Sequence, residues 1–318
     1  PLAPGVKKVL EEMEADRLRK YPDPTASILV KELASYYGLN EDQVFVGVGS
    51  DDVLAMSFLT FFNSDKPVLF PDVTYSFYKV WADLFKVPFE TPVLKEDFTI
   101  DVKDYEKENG GVIFPNPNAP TGVYMPLDQV EEILKANQDV VVIVDEAYVD
   151  FAGPSALELL DKYENLLVVQ TFSKSRSMAG MRIGFAMGHP DLIRALNDVK
   201  YSYNSYTMNL PSLLAGVEAV KDKEYFEKTI EKIVATREHA KKRLTELGFT
   251  FPNSQSNFIF ASHKSVPAEK IFEALKKEQI YVRYFKTPGL DNSLRISIGT
   301  DEEMDTLFRF LEAYLPNA

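Results

Sequence analysis

The chain contains no cysteine. Disulfide frameworks, thiolate zinc centres, iron–sulfur clusters and cysteine nucleophiles are therefore excluded together. Histidine is nearly as scarce: His189, His239 and His263 stand far apart without pair spacing, which leaves nothing from which to build a His-based metal site. Long apolar runs are missing as well. The run from Val140 to Val144 falls far short of the ~20 residues that a membrane span needs, and the start of the chain has nothing of the make-up of a signal peptide. A cytoplasmic protein with no membrane partner is expected. Positive charge is in deficit, with 35 Lys and Arg against 48 Asp and Glu and a net charge of −13. That field repels a phosphate backbone and argues against nucleic acid as a partner. An anionic ligand would have to be held by a local cluster of basic groups and backbone amides.

What is present reads as a folded protein of two domains. Of 318 residues, 45% are hydrophobic and 26% charged, close to the averages for globular proteins and enough for a core in each of roughly two domains. From Val44 to Thr171, short β-rich apolar runs alternate with stretches whose apolar residues recur every three or four positions. Strands are predicted over Val44–Val48, Pro67–Phe70, Val112–Phe114, Val140–Val144 and Leu166–Phe172, and helices over Asp51–Phe62, Tyr75–Phe85 and Leu127–Asn137. This alternation predicts an α/β fold, a mainly parallel sheet with helices on both faces. From about Asp222 a long charged helix runs through Leu247 into a smaller α+β unit, with strands at Phe258–Ala261, Tyr281–Phe285 and Leu294–Ile298 and helices over Ala268–Lys277 and Glu302–Tyr314. A large domain over residues 25–240 and a small one over 1–24 and 241–318 are expected, with the long helix carrying the boundary. An opening helix over Gly5–Lys20 should be stopped by Pro22 and Pro24.

Open parallel sheets bind ligands beyond the carboxyl ends of their strands. The residues at those ends are Gly49-Ser50-Asp51-Asp52, the run from Pro115 to Gly122, Asp145-Glu146-Ala147-Tyr148, and Ser173-Lys174. Gly47-Val48-Gly49 approximates a dinucleotide fingerprint, but Asp52 stands where its third glycine belongs. The segment suits anion binding by free N–H groups at a helix N-terminus, or a plain cap from Ser50 or Asp51. Asp145 follows an unbroken apolar run, so its carboxylate sits at the rim of a buried strand and needs a partner, unless it serves a cap or a local turn. Lys174 is one lysine among many. It is set apart by its place after a strand, with the small residues Ala179 and Gly180 permitting close approach.

Taken together, Asp145-Glu-Ala-Tyr148, Thr171-Phe-Ser-Lys174 and Met178-Ala-Gly-Met-Arg182 resemble the signature of pyridoxal-phosphate enzymes of the aspartate-aminotransferase fold, fold type I. Further motifs bring the sequence closest to the family of histidinol-phosphate aminotransferases: Tyr21-Pro-Asp-Pro, Gly49-Ser-Asp, Pro71-Asp-Val-Thr-Tyr75, Asn116-Pro-Asn-Ala-Pro-Thr-Gly122, Arg283 and Leu294-Arg295-Ile-Ser-Ile-Gly-Thr300. The resemblance implies pyridoxal 5'-phosphate as cofactor, held in the large domain, and transamination between L-histidinol phosphate and 2-oxoglutarate. It makes Lys174 the amine that condenses with the cofactor aldehyde and then acts as acid and base. Asp145 pairs with the pyridine nitrogen, Tyr148 bonds the ring oxygen and Tyr75 stacks on the ring. The cofactor phosphate falls to the backbone at Ser50 and Asp51, the hydroxyls of Thr171 and Ser173, the Arg182 guanidinium, and Tyr21 from a neighbouring subunit, which implies a homodimer; packing against Pro22 and Pro24 is the other reading of Tyr21. Arg283 and Arg295 match the ligands of the substrate anion, with surface exposure the alternative for Arg283. Where the family has Asn before Pro-Thr-Gly this chain has Ala119, so either Asn118 takes over the ring-oxygen contact or Tyr148 makes it alone. The family also carries an N-terminal arm with an Asn-Glu-Asn-Pro motif that closes over the substrate, and the chain begins near the final proline of that motif. An aromatic-amino-acid aminotransferase and a threonine-phosphate decarboxylase on the same scaffold are the alternatives.

Overall fold

The valine- and isoleucine-rich runs form the middle of a seven-stranded sheet in the computed structural model, which describes residues 1–318. Its strands are β1 (Val44–Gly47), β2 (Val68–Leu69), β3 (Phe89–Glu90), β4 (Gly111–Pro115), β5 (Val142–Asp145), β6 (Leu166–Thr171) and β7 (Gly184–Gly188). Their order across the sheet is β1-β7-β6-β5-β4-β2-β3, all running the same way except β7, which is antiparallel to both β1 and β6. Every residue of β4, β5 and β6 is buried, as strands covered on both faces must be. Ten helices accompany the strands: α1 (Pro4–Glu12), α2 (Ser27–Tyr37), α3 (Ser50–Phe61), α4 (Phe77–Phe85), α5 (Leu127–Ala136), α6 (Pro190–Tyr203), α7 (Leu210–Lys221), α8 (Lys223–Glu246), α9 (Ala268–Lys277) and α10 (Asp301–Tyr314).

Alternation along the strands divides the core in two. Val112, Phe114, Val142 and Val144 pack on one face with Leu29, Leu33 and Leu213 from α2 and α7. Ile113 and Ile143 pack on the other with Val53, Phe58, Tyr78 and Trp81 from α3 and α4. A second sheet, antiparallel throughout, has the order β10-β11-β9-β8, from β8 (Phe249–Thr250), β9 (Phe258–His263), β10 (Arg283–Tyr284) and β11 (Leu294–Ser297). Its own core joins Ile259, Ala261, Leu294 and Ile296 to Ile271, Leu275, Leu307 and Leu311. Helix α8 runs from one core into the other, with Tyr225 against the large sheet and Ala240 and Leu244 inside the small one. Between them Arg237 Nη1 donates to Phe151 O at 2.8 Å and to Ser256 O at 3.2 Å, and Gln255 N–H donates to Gly122 O at 2.8 Å. The two sheets are thus tied together beside the polar strand ends.

Two features differ from the expectation. The opening helix ends at Glu12, because Met13 and Glu14 are extended before a single 3-10 turn over Ala15–Arg19. Ala3 and Val6 bury against the large sheet, whereas the residues beyond Glu12 have little to pack on, and short helices without packing are marginal in water. Strand β7 is not foreshadowed at all, since Gly-Phe-Ala-Met-Gly shows neither alternation nor β-branching. It is narrow because it must be. A Cβ on Gly184 would lie 2.2 Å from the backbone of Gly49 and Ser50, so only glycine lets the loop after β1 cross there. Gly184→Ala is therefore expected to destabilise the fold by about 1–3 kcal/mol. This would be read as a lower urea midpoint with an unchanged denaturant slope, and an unaltered midpoint would show that the loop yields freely.

Candidate active site

The antiparallel course of β7 explains how residues distant in sequence share one rim. The carboxyl ends of β1, β4, β5 and β6 open on the same edge of the sheet as the amino end of β7. Arg182, which precedes β7, is thereby delivered beside Ser50, which follows β1. A cavity of about 260 Å³ lies at this rim, lined by Ser50, Asp51, Tyr75, Asp145, Tyr148, Ser173, Lys174, Arg182 and Arg295, together with Leu54, Pro115, Ala119, Ala147 and Ala179. Nine of the residues singled out in the sequence therefore meet in one place, and β11 of the small sheet closes it with Arg295.

At one end the loop after β1 turns into α3 through Gly49 at φ 86°, with no side-chain cap. Neither Ser50 nor Asp51 plays the plain capping role; Asp52 Oδ2 instead accepts from Val48 N–H at 3.0 Å. Free N–H groups at the start of α3 consequently face the cavity, where they favour an anion. A Cβ on Gly49 would stand 2.7 Å from Arg182 Nη2, so glycine here admits the guanidinium. Asp51 Oδ2 lies 4.0 Å from Arg182 Nη2, and Asp51 Oδ1 accepts from the Tyr75 hydroxyl at 2.9 Å. Burial, then the Asp51 carboxylate, pushes the Tyr75 phenol well above its ordinary range, which keeps it a donor. Ser173 completes this end. Its N–H donates to Thr171 Oγ1 at 3.1 Å while the Thr171 hydroxyl reaches Ile183 O at 3.2 Å. Thr171 thus does not line the cavity but holds the Ser173 turn in place.

At the floor, adjacent acids point opposite ways, as the twofold period of a strand requires. Glu146 turns into the core and accepts from Ser155 Oγ, Ala156 N and Gln170 Nε2 at 2.6, 2.7 and 2.9 Å. Burial raises its carboxyl to about 7. Asp145 turns to the cavity, accepting from Tyr78 Oη on Oδ2 at 2.7 Å and from Ala147 N–H on Oδ1 at 3.2 Å. Burial raises its carboxyl from 3.8 to about 6 against the pull of these bonds. A buried carboxylate facing a cavity requires a cationic partner there. Tyr78 was not singled out from the sequence: a phenol at helical spacing among Phe77, Trp81 and Ala82 reads as core. Lys174 Nζ stands 5.5 Å from the ring centre of Tyr148, which itself packs edge-on against Phe258.

Besides Thr171, three expected residues, Asn118, Tyr21 and Arg283, lie outside the cavity of the single chain. Asn118 donates both amide hydrogens inward, to Val73 O at 2.9 Å and Thr121 Oγ1 at 3.0 Å. Tyr21 is 80% exposed and its ring lies 4.6 Å from that of Tyr206, rather than packing on the prolines alone. Arg283 is exposed, yet it is the cross-strand partner of Arg295. Like charges directly opposite in a sheet repel unless an anion joins them. Arg295 lies over Phe258 and Phe285 at 5.1 and 5.9 Å, and its buried Nε has no hydrogen-bond partner.

The donor set fits the expected cofactor. An amine, a buried carboxylate, a phenol and a helix N-terminus with an arginine converge on one cavity, and the carboxylate has no cation hydrogen-bonded to it. The same burial makes a prediction for the ligand-free protein. An acid whose folded value is raised contributes stability that is complete below its unfolded value of 3.8 and is lost as pH climbs through about 6. Asp145→Asn removes that loss, so the melting temperature of the variant relative to wild type should climb between about pH 4 and about pH 7. A pH-independent difference would contradict the buried charge.

Residues 2–311 match the family described as aminotransferase class I and II. The chain is 51% identical over 318 residues to a histidinol-phosphate aminotransferase of Brachyspira hyodysenteriae, covering 100% of this chain and 90% of that protein. It is 49% identical to one of Lactococcus lactis, covering 98% of this chain and 88% of the relative. Among solved structures it resembles a histidinol-phosphate aminotransferase from Sinorhizobium meliloti in complex with pyridoxal-5'-phosphate, with a TM-score of 0.88 and 25% identity over 99% of this chain and 87% of that one. A sheet whose rim gathers Asp145, Lys174 and Arg182, and a likeness that runs the length of the sequence, lead to one conclusion: the chain belongs to the class I and II aminotransferases.

Proposed function

We propose that the protein transfers the amino group of L-histidinol phosphate to 2-oxoglutarate with pyridoxal 5'-phosphate, giving imidazole-acetol phosphate and L-glutamate. The observation that carries the reading is the single cavity onto which Asp145, Lys174 and Arg295 converge. Relatives named histidinol-phosphate aminotransferase at about half identity along the whole chain support the choice of donor. When bound, the cofactor supplies an aldehyde to condense with amines and a protonated ring to accept the electrons of a cleaved C–H bond.

The chain's own groups do the rest. Lys174 Nζ holds the cofactor covalently and, once free, takes the proton from the substrate carbon that bears the amine. Asp145 keeps a positive charge on the ring nitrogen, since no other counter-ion is hydrogen-bonded to the buried carboxylate. Tyr148 would donate to the ring oxygen and Tyr75 would cover the ring face. The start of α3, Ser173 and Arg182 take the phosphate. Arg295, with Arg283 opposite it, holds the substrate anion that takes the place of an α-carboxylate. Histidinol phosphate presents a phosphate at that place and glutamate a carboxylate, so one pair of guanidinium groups serves both half-reactions. We also propose that two copies pair and that the exposed Tyr21 of each reaches the phosphate in the other.

The test is a spectroscopic titration. The loaded protein should lose its visible band on addition of histidinol phosphate and regain it with 2-oxoglutarate, and Lys174→Ala should show neither change. Arg295→Gln should lower kcat/KM about 10- to 100-fold, the worth of a hydrogen bond to a charged group. A preference for phenylalanine or tyrosine, or carbon dioxide released from threonine phosphate, would replace this reading with one of its alternatives. For the paired copies, mixing Tyr21→Ala chains with Lys174→Ala chains should restore activity that neither has alone, because half of the hybrid's sites are intact. Sites made from one chain would give no restoration.

A further inference from the structure

Tyr78 lies in the first turn of α4, fully buried, and is held from two directions. Its ring is edge-on to Tyr75 at 5.7 Å and to Phe70 at 5.8 Å, and stacks over Phe58 at 6.4 Å. Its hydroxyl donates to Asp145 Oδ2 at 2.7 Å, the one hydrogen bond this phenol makes. A phenol shut away from water must find an acceptor. Here the acceptor is the carboxylate that faces the cavity. One turn earlier Tyr75 makes the equivalent bond to Asp51, so the start of α4 brings two phenols to two acids on the cavity rim.

We infer that Tyr78 is a positioning residue for Asp145: its hydroxyl fixes the carboxylate in the orientation that faces the cavity and holds the negative charge there. The use made of that charge rests on the function proposed above, whereas the bond itself does not. Several groups act on the carboxylate. Burial disfavours its charge most strongly, and Asp51 on α3 adds to that effect. Tyr78 is the first of the groups that oppose it, followed by the Ala147 N–H and by Lys174 after β6. Tyr75 also faces the carboxylate from the turn before α4, and Arg182 and Arg295 share its cavity. With Tyr78 removed, the Ala147 N–H is the one hydrogen bond left to the side chain. The charge is then held more weakly and the carboxylate is freer to rotate.

The experiment uses the full ligand-free chain. The carboxylic-acid C=O stretch of Asp145 is isolated by difference infrared spectroscopy against Asp145→Asn and followed with pH. In the wild type its midpoint should lie at about 6. Tyr78→Phe should raise that midpoint by about one to two pH units, as loss of a hydrogen bond to a charged group implies. Replacement of Tyr78 by 3-fluorotyrosine, nearly the same shape and a stronger donor, should lower it and keeps the test decisive if Tyr78→Phe does not fold. In the loaded enzyme Tyr78→Phe should lower kcat with KM for the amino donor held, and move the acid limb of the pH profile up. A folded Tyr78→Phe protein with an unmoved or lowered midpoint, or a fluorotyrosine protein with a raised one, would overturn the inference. Because the titration is read without cofactor or substrate, a shifted midpoint in a protein that fails to transaminate supports the role of Tyr78 and removes only the proposed function.

Discussion

A negative charge buried at the end of a fully apolar strand is the constraint around which the rest of the structure is arranged. Asp145 is the last residue of β5, 4% exposed, and its carboxylate has hydrogen bonds from a phenol and one backbone N–H but no cation bonded to it. Left so, it weakens the fold, because burial favours the protonated form. Such a group belongs to a site that receives a cation from outside the chain. In the proposed function that cation is the protonated pyridine ring of the cofactor. On this view the stability forgone in the empty protein is returned when the ring binds, since a ligand that prefers the native state stabilises it.

The fold's other peculiarities serve the same rim. A wholly parallel sheet would bring the loop before β7 to the opposite edge; running β7 backwards brings Arg182 to the edge where α3 begins. That arrangement needs two glycines, Gly49 to admit the guanidinium and Gly184 to let the β1 loop pass, and both positions are closed to any side chain by the backbone or by Arg182. The small sheet contributes Arg295 to the cavity. Its paired arginines repel one another across adjacent strands, and aromatic faces rather than carboxylates surround them. Their charge is therefore available to an incoming phosphate or carboxylate. Arg237 and the Gly122–Gln255 bond keep that sheet seated against the rim.

Much of this was legible in the sequence, for identifiable physical reasons. Strands β4, β5 and β6 are apolar at nearly every position, and a run that is buried on both faces leaves that mark. Asp145 and Tyr148 at the end of β5 and Ser173 and Lys174 beyond β6 line the cavity, whereas Asn116, Asn118 and Glu146 make their hydrogen bonds inside the protein. Strand β7 left no mark, because close approach demands glycine and alanine where strands usually carry β-branched residues. Tyr78 was invisible for a related reason: its ring belongs to the core and only its hydroxyl belongs to the site. Asn118 was nominated by its neighbourhood, but its amide proved to be spent on Val73 and Thr121, a matter of side-chain direction that no spacing reveals. Arg283 and Arg295, twelve residues apart, are made opposite partners by the register of two short strands.

In the proposed function the buried Asp145 carboxylate is matched by a positive charge on the bound cofactor ring. The most direct measurement is the chemical shift of a nitrogen-15 label in the pyridine ring of the loaded protein. The nitrogen should be protonated well above the pH at which free pyridines lose their proton, and neutral in Asp145→Asn. A neutral nitrogen in the wild-type protein, or a protonated one that survives Asp145→Asn, would contradict it.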